Sequence, residues 1–268
     1  MNNITEGLFC QRQKNNIIKI MMNSFHLFVE YLGRIWPAFL LLLLSLAFSR
    51  PPAFGRVVLY IVGFVVCRDV MASLGFWFPS TEGGVLRFLF TDDALLLVLL
   101  SLLFFAAMLV FLAFDRENRD RCRFFSNDRG AGIFVGLLAG FCVAAPLLFL
   151  QAKGGTEAIG PEFRVDMALP LLCLSLSLAF IEEGLFRGYL LAFLKDHQSS
   201  LLAGVSSGIL FAFSYLPLSL TGSGLSLPLL LFVLWEGVIA GIVGSRYGVL
   251  PSCVTHGVAI FLISAAFF

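Results

Sequence analysis

Long runs of apolar residues, separated by short polar segments, fill the sequence from about residue 35 onward. A transmembrane helix needs about 20 consecutive, mainly apolar residues, and most of these runs approach that length. Because only helices and closed barrels satisfy their backbone groups in lipid, the pattern predicts an all-α, polytopic transmembrane helix bundle of about eight spans. The predicted spans are residues 35–49, 57–78, 94–114, 131–150, 167–181, 201–216, 229–247 and 252–268.

The polar segments divide the chain into three predicted parts. Residues 1–24 are predicted to be a flexible polar tail, and a start of synthesis at Met21 or Met22 is an alternative explanation of that segment. Residues 25–165 hold the N-terminal transmembrane helices. Residues 166–268 form the third part, which contains most of the candidate chemistry.

The segment between the third and fourth predicted spans is rich in arginine. Its five arginines are Arg116, Arg119, Arg121, Arg123 and Arg129. The positive-inside rule places such a segment in the cytoplasm. Alternation of the spans then puts residues 182–187 and His256 near the cytoplasmic side, so we expect them at similar depth. We expect the membrane to be a bacterial inner membrane.

Composition agrees with a membrane protein and excludes some partners. The 268 residues are 59% hydrophobic and 13% charged, whereas soluble domains are about 45–50% apolar and 25% charged. The lipid bilayer is therefore an expected partner. A net charge of +1 gives no reason to expect a nucleic-acid partner. The six cysteines show no ligand spacing and are predicted to pack as small apolar residues.

Three charged residues, Glu182, Glu183 and Arg187, follow the apolar run of residues 167–180. A carboxylate at mid-bilayer depth costs about 2.5–3.5 kcal/mol on insertion scales, so charges there indicate a functional site. A charge cluster at the headgroup level is the alternative. In a helix, Glu183 and Arg187 pair at i, i+4. Glu182 points about 100° away and stays available as a general base.

Further charges lie inside other predicted spans. Arg68 and Asp69 are neighbours on one helix and do not face each other, so each is expected to have a partner elsewhere and a structural role in the bundle. Glu236 is predicted either to be ion-paired or to accept a hydrogen bond from Tyr215 or His256. A transporter that uses these charges as a buried path is an alternative function.

The C-terminal part of the chain resembles the CPBP family of intramembrane proteases, also called the CAAX prenyl protease and Abi family. The resemblance covers about residues 167–268. It is carried by Glu182-Glu183-x-x-x-Arg187 with Gly188-Tyr189-Leu190, by the run from Ser206 to Ala212, and by Gly241, Tyr247-Gly248, Pro251 and Thr255-His256.

The resemblance implies a glutamic-type endopeptidase that cleaves a membrane-anchored or lipidated protein. Glu182 is expected to activate a water molecule, and Glu183 and Arg187 to support its position. His256 and Tyr215 are expected to complete the catalytic set. No cofactor is expected. A zinc centre is the rival chemistry, although catalytic zinc needs three protein ligands and this set is thin.

Two positions depart from the motifs of the family. In Phe-x-x-x-His, Phe211 is present but Tyr215 replaces the histidine, and in His-x-x-x-Asn, His256 is present but Ile260 replaces the last residue. A missing oxyanion donor lowers kcat by about 10²–10³, and a tyrosine is a poor base at neutral pH. The sequence therefore allows an attenuated protease or, alternatively, a catalytically impaired membrane scaffold or chaperone of the same fold.

Overall fold

The computed structural model describes residues 2–80, 86–153, 165–221 and 226–265. The described chain is a helix bundle with one two-stranded hairpin, which confirms the predicted all-α class. Residues 81–85, 154–164 and 222–225, which fall between predicted spans, lie outside the described residues, as do residues 266–268 of the last predicted span.

Eleven α-helices and one π-helix make up the described bundle. The first five helices are α1 (Asn2–Ser49), α2 (Ala53–Ser73), α3 (Ala94–Phe114), α4 (Arg116–Arg121) and α5 (Arg129–Lys153). The later elements are α6 (Val165–Glu183), the π-helix (Gly184–Leu190), α7 (Leu191–Lys195), α8 (Ser200–Phe213), α9 (Leu216–Thr221), α10 (Ser226–Tyr247) and α11 (Val249–Ala265). The hairpin consists of β1 (Trp77–Ser80) and β2 (Arg87–Phe90).

Six helical runs within the described ranges are long and apolar enough to cross a membrane, and α11 is a shorter apolar helix. Helix α2, which was predicted as a span, is not among them because Arg56, Arg68 and Asp69 lie along it. The chain is therefore a multi-pass integral membrane protein, with fewer clear spans than the apolar runs alone predict.

The structure corrects three predicted boundaries. Residues 2–24, predicted as a flexible tail, are the first part of helix α1. The span predicted over residues 57–78 ends at Ser73, and Phe78 belongs to β1. The break predicted between the spans of residues 229–247 and 252–268 is a single residue, Gly248, whose φ of 104° is the left-handed conformation that glycine tolerates.

Asp115 joins the start of α2 to the junction between α3 and α4. It accepts hydrogen bonds from Arg56 Nε at 2.9 Å, Tyr60 Oη at 3.1 Å and Asn118 Nδ2 at 2.8 Å. Burial raises the pKa of Asp115, but the bonds from Arg56 and Asn118 outweigh it and hold that pKa below its usual value. This contribution to stability is present above the unfolded pKa of about 3.9 and is lost as the pH falls through the folded pKa.

The β-hairpin packs on the end of α2 through an aromatic face. Trp77 lies opposite Phe90 in the antiparallel register, and its ring stacks with those of Phe88 and Phe90 at centroid distances of 6.3 and 6.5 Å. Trp77 Nε1 donates to the Arg68 carbonyl at 3.2 Å. The hairpin is thereby fixed beside Arg68.

Glycines bring α8 and α10 into backbone contact. A Cβ on Gly208 would lie 2.5 Å from the Gly237 carbonyl oxygen, and one on Gly204 would lie 2.6 Å from that of Gly241. The two glycines of each helix are four residues apart, which is the small-xxx-small pattern of tightly packed membrane helices. Helix α11 packs against α5, α6 and α10, so these close contacts also fix its position.

We expect Gly208→Ala to destabilise the protein by about 1–3 kcal/mol, because the added methyl group overpacks a backbone contact. The measurement is thermal unfolding in detergent. Gly33→Ala is the matched control, since a Cβ at Gly33 meets nothing within 4 Å, and it should be neutral or slightly stabilising. Equal unfolding temperatures of the two variants would contradict the close α8–α10 packing.

Candidate active site

The candidate site lies where α6 passes into the π-helix. Every residue of the π-helix is buried, as are Glu182 and Glu183 at the end of α6. π-Helical turns are rare and often occur at functional sites. The structure brings all five predicted residues into one network: Glu182, Glu183, Arg187, Tyr215 from the turn between α8 and α9, and His256 from α11.

Both carboxylate oxygens of Glu183 are engaged. Oε1 accepts from Arg187 Nη1 and lies beside His256 Nδ1, each at 2.9 Å, and Oε2 accepts from Ser252 Oγ. Arg187 Nη2 donates in turn to the Gly237 carbonyl of α10 at 2.7 Å. The predicted i, i+4 pair is present, and Glu183 serves as an anchor for the residues around it.

Glu182 has a different environment, because it borders a cavity. Its Oε1 accepts from Tyr215 Oη at 3.2 Å, and its Oε2 lies 3.1 Å from His256 Nε2. Since His256 Nδ1 contacts Glu183, the imidazole bridges the two carboxylates. An imidazole that contacts a carboxylate at each nitrogen is held as a double donor.

The cavity beside Glu182 has a volume of about 40 Å³. A water molecule needs about 10–15 Å³ by this measure, together with polar partners, so the cavity has room for water next to the carboxylate. Polar groups and aromatic rings share the lining. Its residues include Arg68, Trp77, Phe88, Phe90, Glu182, Tyr215, His256 and Ile260.

The two positions that depart from the family motifs both line this cavity. Tyr215 replaces the expected histidine and still supplies a hydrogen-bond donor to Glu182. Ile260 supplies an apolar wall and no polar atom. At these two positions the cavity wall therefore has one hydroxyl, from Tyr215, and one apolar side chain, from Ile260.

The structure corrects the interpretation of Arg68 and Asp69. Arg68 Nε and Nη2 donate to Asp69 Oδ1 at 3.0 and 2.9 Å, although the two residues are neighbours. The long Arg68 side chain folds back along the helix, so the two residues pair although their positions do not face each other. Arg68 also lies in the cavity wall, with Nη1 4.0 Å from Glu182 Oε1.

Two further residues of the network have informative positions. Ser252, which the sequence analysis missed, lies four residues before His256 on α11 and therefore on the same helix face. Glu236 is buried on α10, with Oε1 3.7 Å from His256 Nε2. Within the described residues, that oxygen has no hydrogen-bond partner. Arg68 and Glu236 thus both converge on the Glu182–His256 pair.

No group of three His, Cys, Asp or Glu side chains in the described ranges is arranged to hold a metal ion. Both nitrogens of His256 contact carboxylates directly. The polar network is thus assembled from side-chain contacts.

Comparison with known proteins identifies the C-terminal part of the chain. Residues 164–262 match the family model described as Rce1-like, type II CAAX prenyl endopeptidase. No curated protein and no solved structure matches the chain. The family match confirms the resemblance to the CPBP and CAAX proteases, and it covers all five candidate residues. It supports an intramembrane endopeptidase that acts on a peptide substrate.

We expect Arg187→Met to destabilise the fold by about 3–5 kcal/mol, because the change leaves the Glu183 carboxylate buried without its cationic partner. Thermal unfolding in detergent measures the effect. Arg121→Met is the control, since Arg121 pairs with Asp196 at the protein surface; such pairs contribute about 0–1 kcal/mol. Similar losses in both variants would show that the Glu183 network does not hold the bundle together.

Proposed function

We infer that this chain, whose residues 164–262 match the CAAX endopeptidase family, hydrolyses a peptide bond in a membrane-anchored or lipidated protein. Glu182 activates the water molecule for this reaction. The observation that supports the proposal is the contrast between the two glutamates. Each oxygen of both glutamates has a side-chain partner, but Glu182 also borders a cavity of about 40 Å³, beside Tyr215 and His256.

The contacts suggest a role for each residue in the reaction. Glu182 accepts a proton from the water molecule while the water oxygen attacks the scissile carbonyl carbon. The carbonyl oxygen then becomes an oxyanion. When the intermediate collapses, the carbon–nitrogen bond breaks and the leaving amine takes that proton from Glu182. Tyr215 and His256 orient Glu182 throughout, and Glu183 holds the imidazole in place. General-base catalysis of this kind contributes about 10²–10⁴ in rate.

A second cavity supports a lipidated or strongly apolar substrate. It has a volume of about 100 Å³ and lies between α1, α2 and α3, with Ile181 in its wall. Ile181 directly precedes Glu182, so an apolar chain in this cavity would lie close to the base. The lining is almost entirely aliphatic and aromatic, as in Ile35, Phe64 and Phe104, which suits a hydrocarbon chain.

We place the site toward the cytoplasmic face of a bacterial inner membrane. The arginine-rich segment of residues 115–129 supports this orientation through the positive-inside rule. Helix α4 in this segment contacts the π-helix. A substrate would accordingly present its anchored end from the cytoplasmic side.

We expect Glu182→Gln to lower the cleavage rate by about 10²–10⁴, because an amide cannot accept the proton of the water. The assay incubates purified protein with a panel of lipidated and C-terminally anchored peptides and detects new termini by mass spectrometry. Glu30→Gln is the control, because Glu30 forms only an exposed pair with Arg34. Equal cleavage by wild type and Glu182→Gln would end the proposal.

The scaffold alternative makes a different prediction for the two departing positions. We expect the wild type to cleave slowly, and the double variant Tyr215→His with Ile260→Asn to be about 10²-fold faster, because an imidazole beside the water is a better base than a phenol. The same peptide assay measures both proteins. A wild type that cleaves no peptide, next to a double variant that does, would favour the scaffold or chaperone instead.

A further inference from the structure

Peptide hydrolysis places a negative charge on the former carbonyl oxygen, and preorganised donors to that oxygen are often the largest single catalytic contribution. The polar groups of the cavity are largely committed. The Tyr215 hydroxyl donates to Glu182, and His256 Nε2 lies against the same carboxylate. Ile260 has no polar atom to offer. Ser175 also lines the cavity, and within the described residues its Oγ has no hydrogen-bond partner. Its hydroxyl is neutral, however, and hydrogen bonds from a charged donor are about twice as strong. A cationic donor in the cavity wall would therefore stabilise the oxyanion more strongly.

Arg68 reaches the cavity from α2, outside the segment that matches the family. Arg68 is buried, with 3% of its surface exposed. Asp69 Oδ1 accepts from Nε and Nη2 at 3.0 and 2.9 Å, and the Ser214 carbonyl accepts from Nη2 at 2.7 Å. Within the described residues, Nη1 has one long contact, 3.4 Å to Ser214 Oγ. An arginine Nη carries two hydrogens, so Nη1 has donor capacity to spare.

The position of Nη1 suits an oxyanion. It lies 4.0 Å from Glu182 Oε1, which is too far for a direct hydrogen bond but leaves space for a shared ligand. Hydrogen bonds of about 2.8 Å from each side can reach one oxygen, or two oxygens on one carbon, across that gap. A tetrahedral intermediate has two such oxygens: the attacking one, next to Glu182, and the former carbonyl oxygen.

We propose that Arg68 Nη1 donates to the former carbonyl oxygen of the substrate, polarises the carbonyl and stabilises the oxyanion. The inference rests on the proposed peptidase function. Three observations carry it: the spare donor, its 4.0 Å separation from Glu182, and the apolar side chain of Ile260 in the wall of the same cavity. Arg68 is a catalytic residue supplied by the N-terminal half of the chain.

The surroundings of Arg68 preorganise it for this role. Its guanidinium lies over the Tyr215 ring, 3.7 Å from the centroid. Asp69 and Ser214 hold the opposite edge of the fork. Trp77 fixes the local backbone by donating to the Arg68 carbonyl. A donor held on several sides needs little reorganisation when charge develops, which is the condition for effective oxyanion stabilisation.

Arg68→Met tests the proposal, with kcat, KM and thermal unfolding measured separately. We expect kcat to fall by about 10²–10³, as for the loss of an oxyanion donor, with a much smaller change in KM. Arg34→Met is the control, because Arg34 forms an exposed pair with Glu30 on α1, away from the cavity. A kcat within about threefold of wild type in folded Arg68→Met protein would overturn the proposal, since a factor of three is well below that of a lost oxyanion donor.

A rescue experiment separates this role from a structural one. Ile260→Asn adds an amide donor to the same cavity. We expect it to raise kcat of Arg68→Met by about tenfold or more. In the wild-type protein it should change kcat much less, because Arg68 already supplies most of this effect. An equal gain in both backgrounds would contradict the assignment, because it would show that the new amide does not replace a donor lost at Arg68.

If Arg68→Met does not fold, Arg68→Lys decides the question, because lysine keeps the buried charge but lacks the planar fork. We expect folded Arg68→Lys protein with kcat lowered about tenfold or more and recovered by Ile260→Asn; unchanged kcat would refute the proposal.

Glu182→Gln distinguishes a failure of the peptidase mechanism from a failure of the role proposed for Arg68. Activity that survives Glu182→Gln removes the peptidase mechanism itself, whereas activity that needs Glu182 but not Arg68 removes only this inference.

Discussion

The buried contacts of Glu183 are the interaction on which the rest of the site depends. A carboxylate without exposure inside an apolar bundle is unfavourable unless its oxygens are paired. Arg187, His256 and Ser252 supply those partners from the π-helix and from α11. Arg187 also donates to the Gly237 carbonyl on α10, and Ser252 Oγ lies 2.7 Å from the Ala240 carbonyl oxygen of the same helix. One carboxylate thus joins α6, the π-helix, α10 and α11.

The chemistry proposed for Glu182 follows from this anchor. His256 can approach Glu182 with Nε2 because Glu183 holds Nδ1. Small residues let the π-helix pack closely enough to permit this arrangement. A Cβ on Gly188 would lie 3.1 Å from Cys122 Sγ, so a larger residue would push the π-helix away from the segment after α4. Helix packing and acid–base geometry are therefore set by the same contacts.

Much of this arrangement could be predicted from the sequence where the information is local. Apolar length gave the bounds of α3, and the four-residue spacing gave the Glu183–Arg187 pair. The hairpin was missed because Trp77 and its neighbours are as apolar as the helix they follow. Contact between Arg68 and Glu182 joins residues far apart in sequence, so no spacing rule predicts it; only the packing of α2 against the C-terminal half brings them together.

The charges of α2 explain why this helix belongs to the site. Arg56 and Arg68 would be unfavourable in lipid, and each has a partner outside α2: Asp115 for the first, the Ser214 carbonyl for the second. A helix held in this way cannot drift from the bundle without exposing two charges. The same constraint that keeps α2 in place keeps the guanidinium of Arg68 against Tyr215. Residues 164–262 alone contain the proposed base, Glu182, and the groups that contact it, but the proposed cationic donor comes from α2.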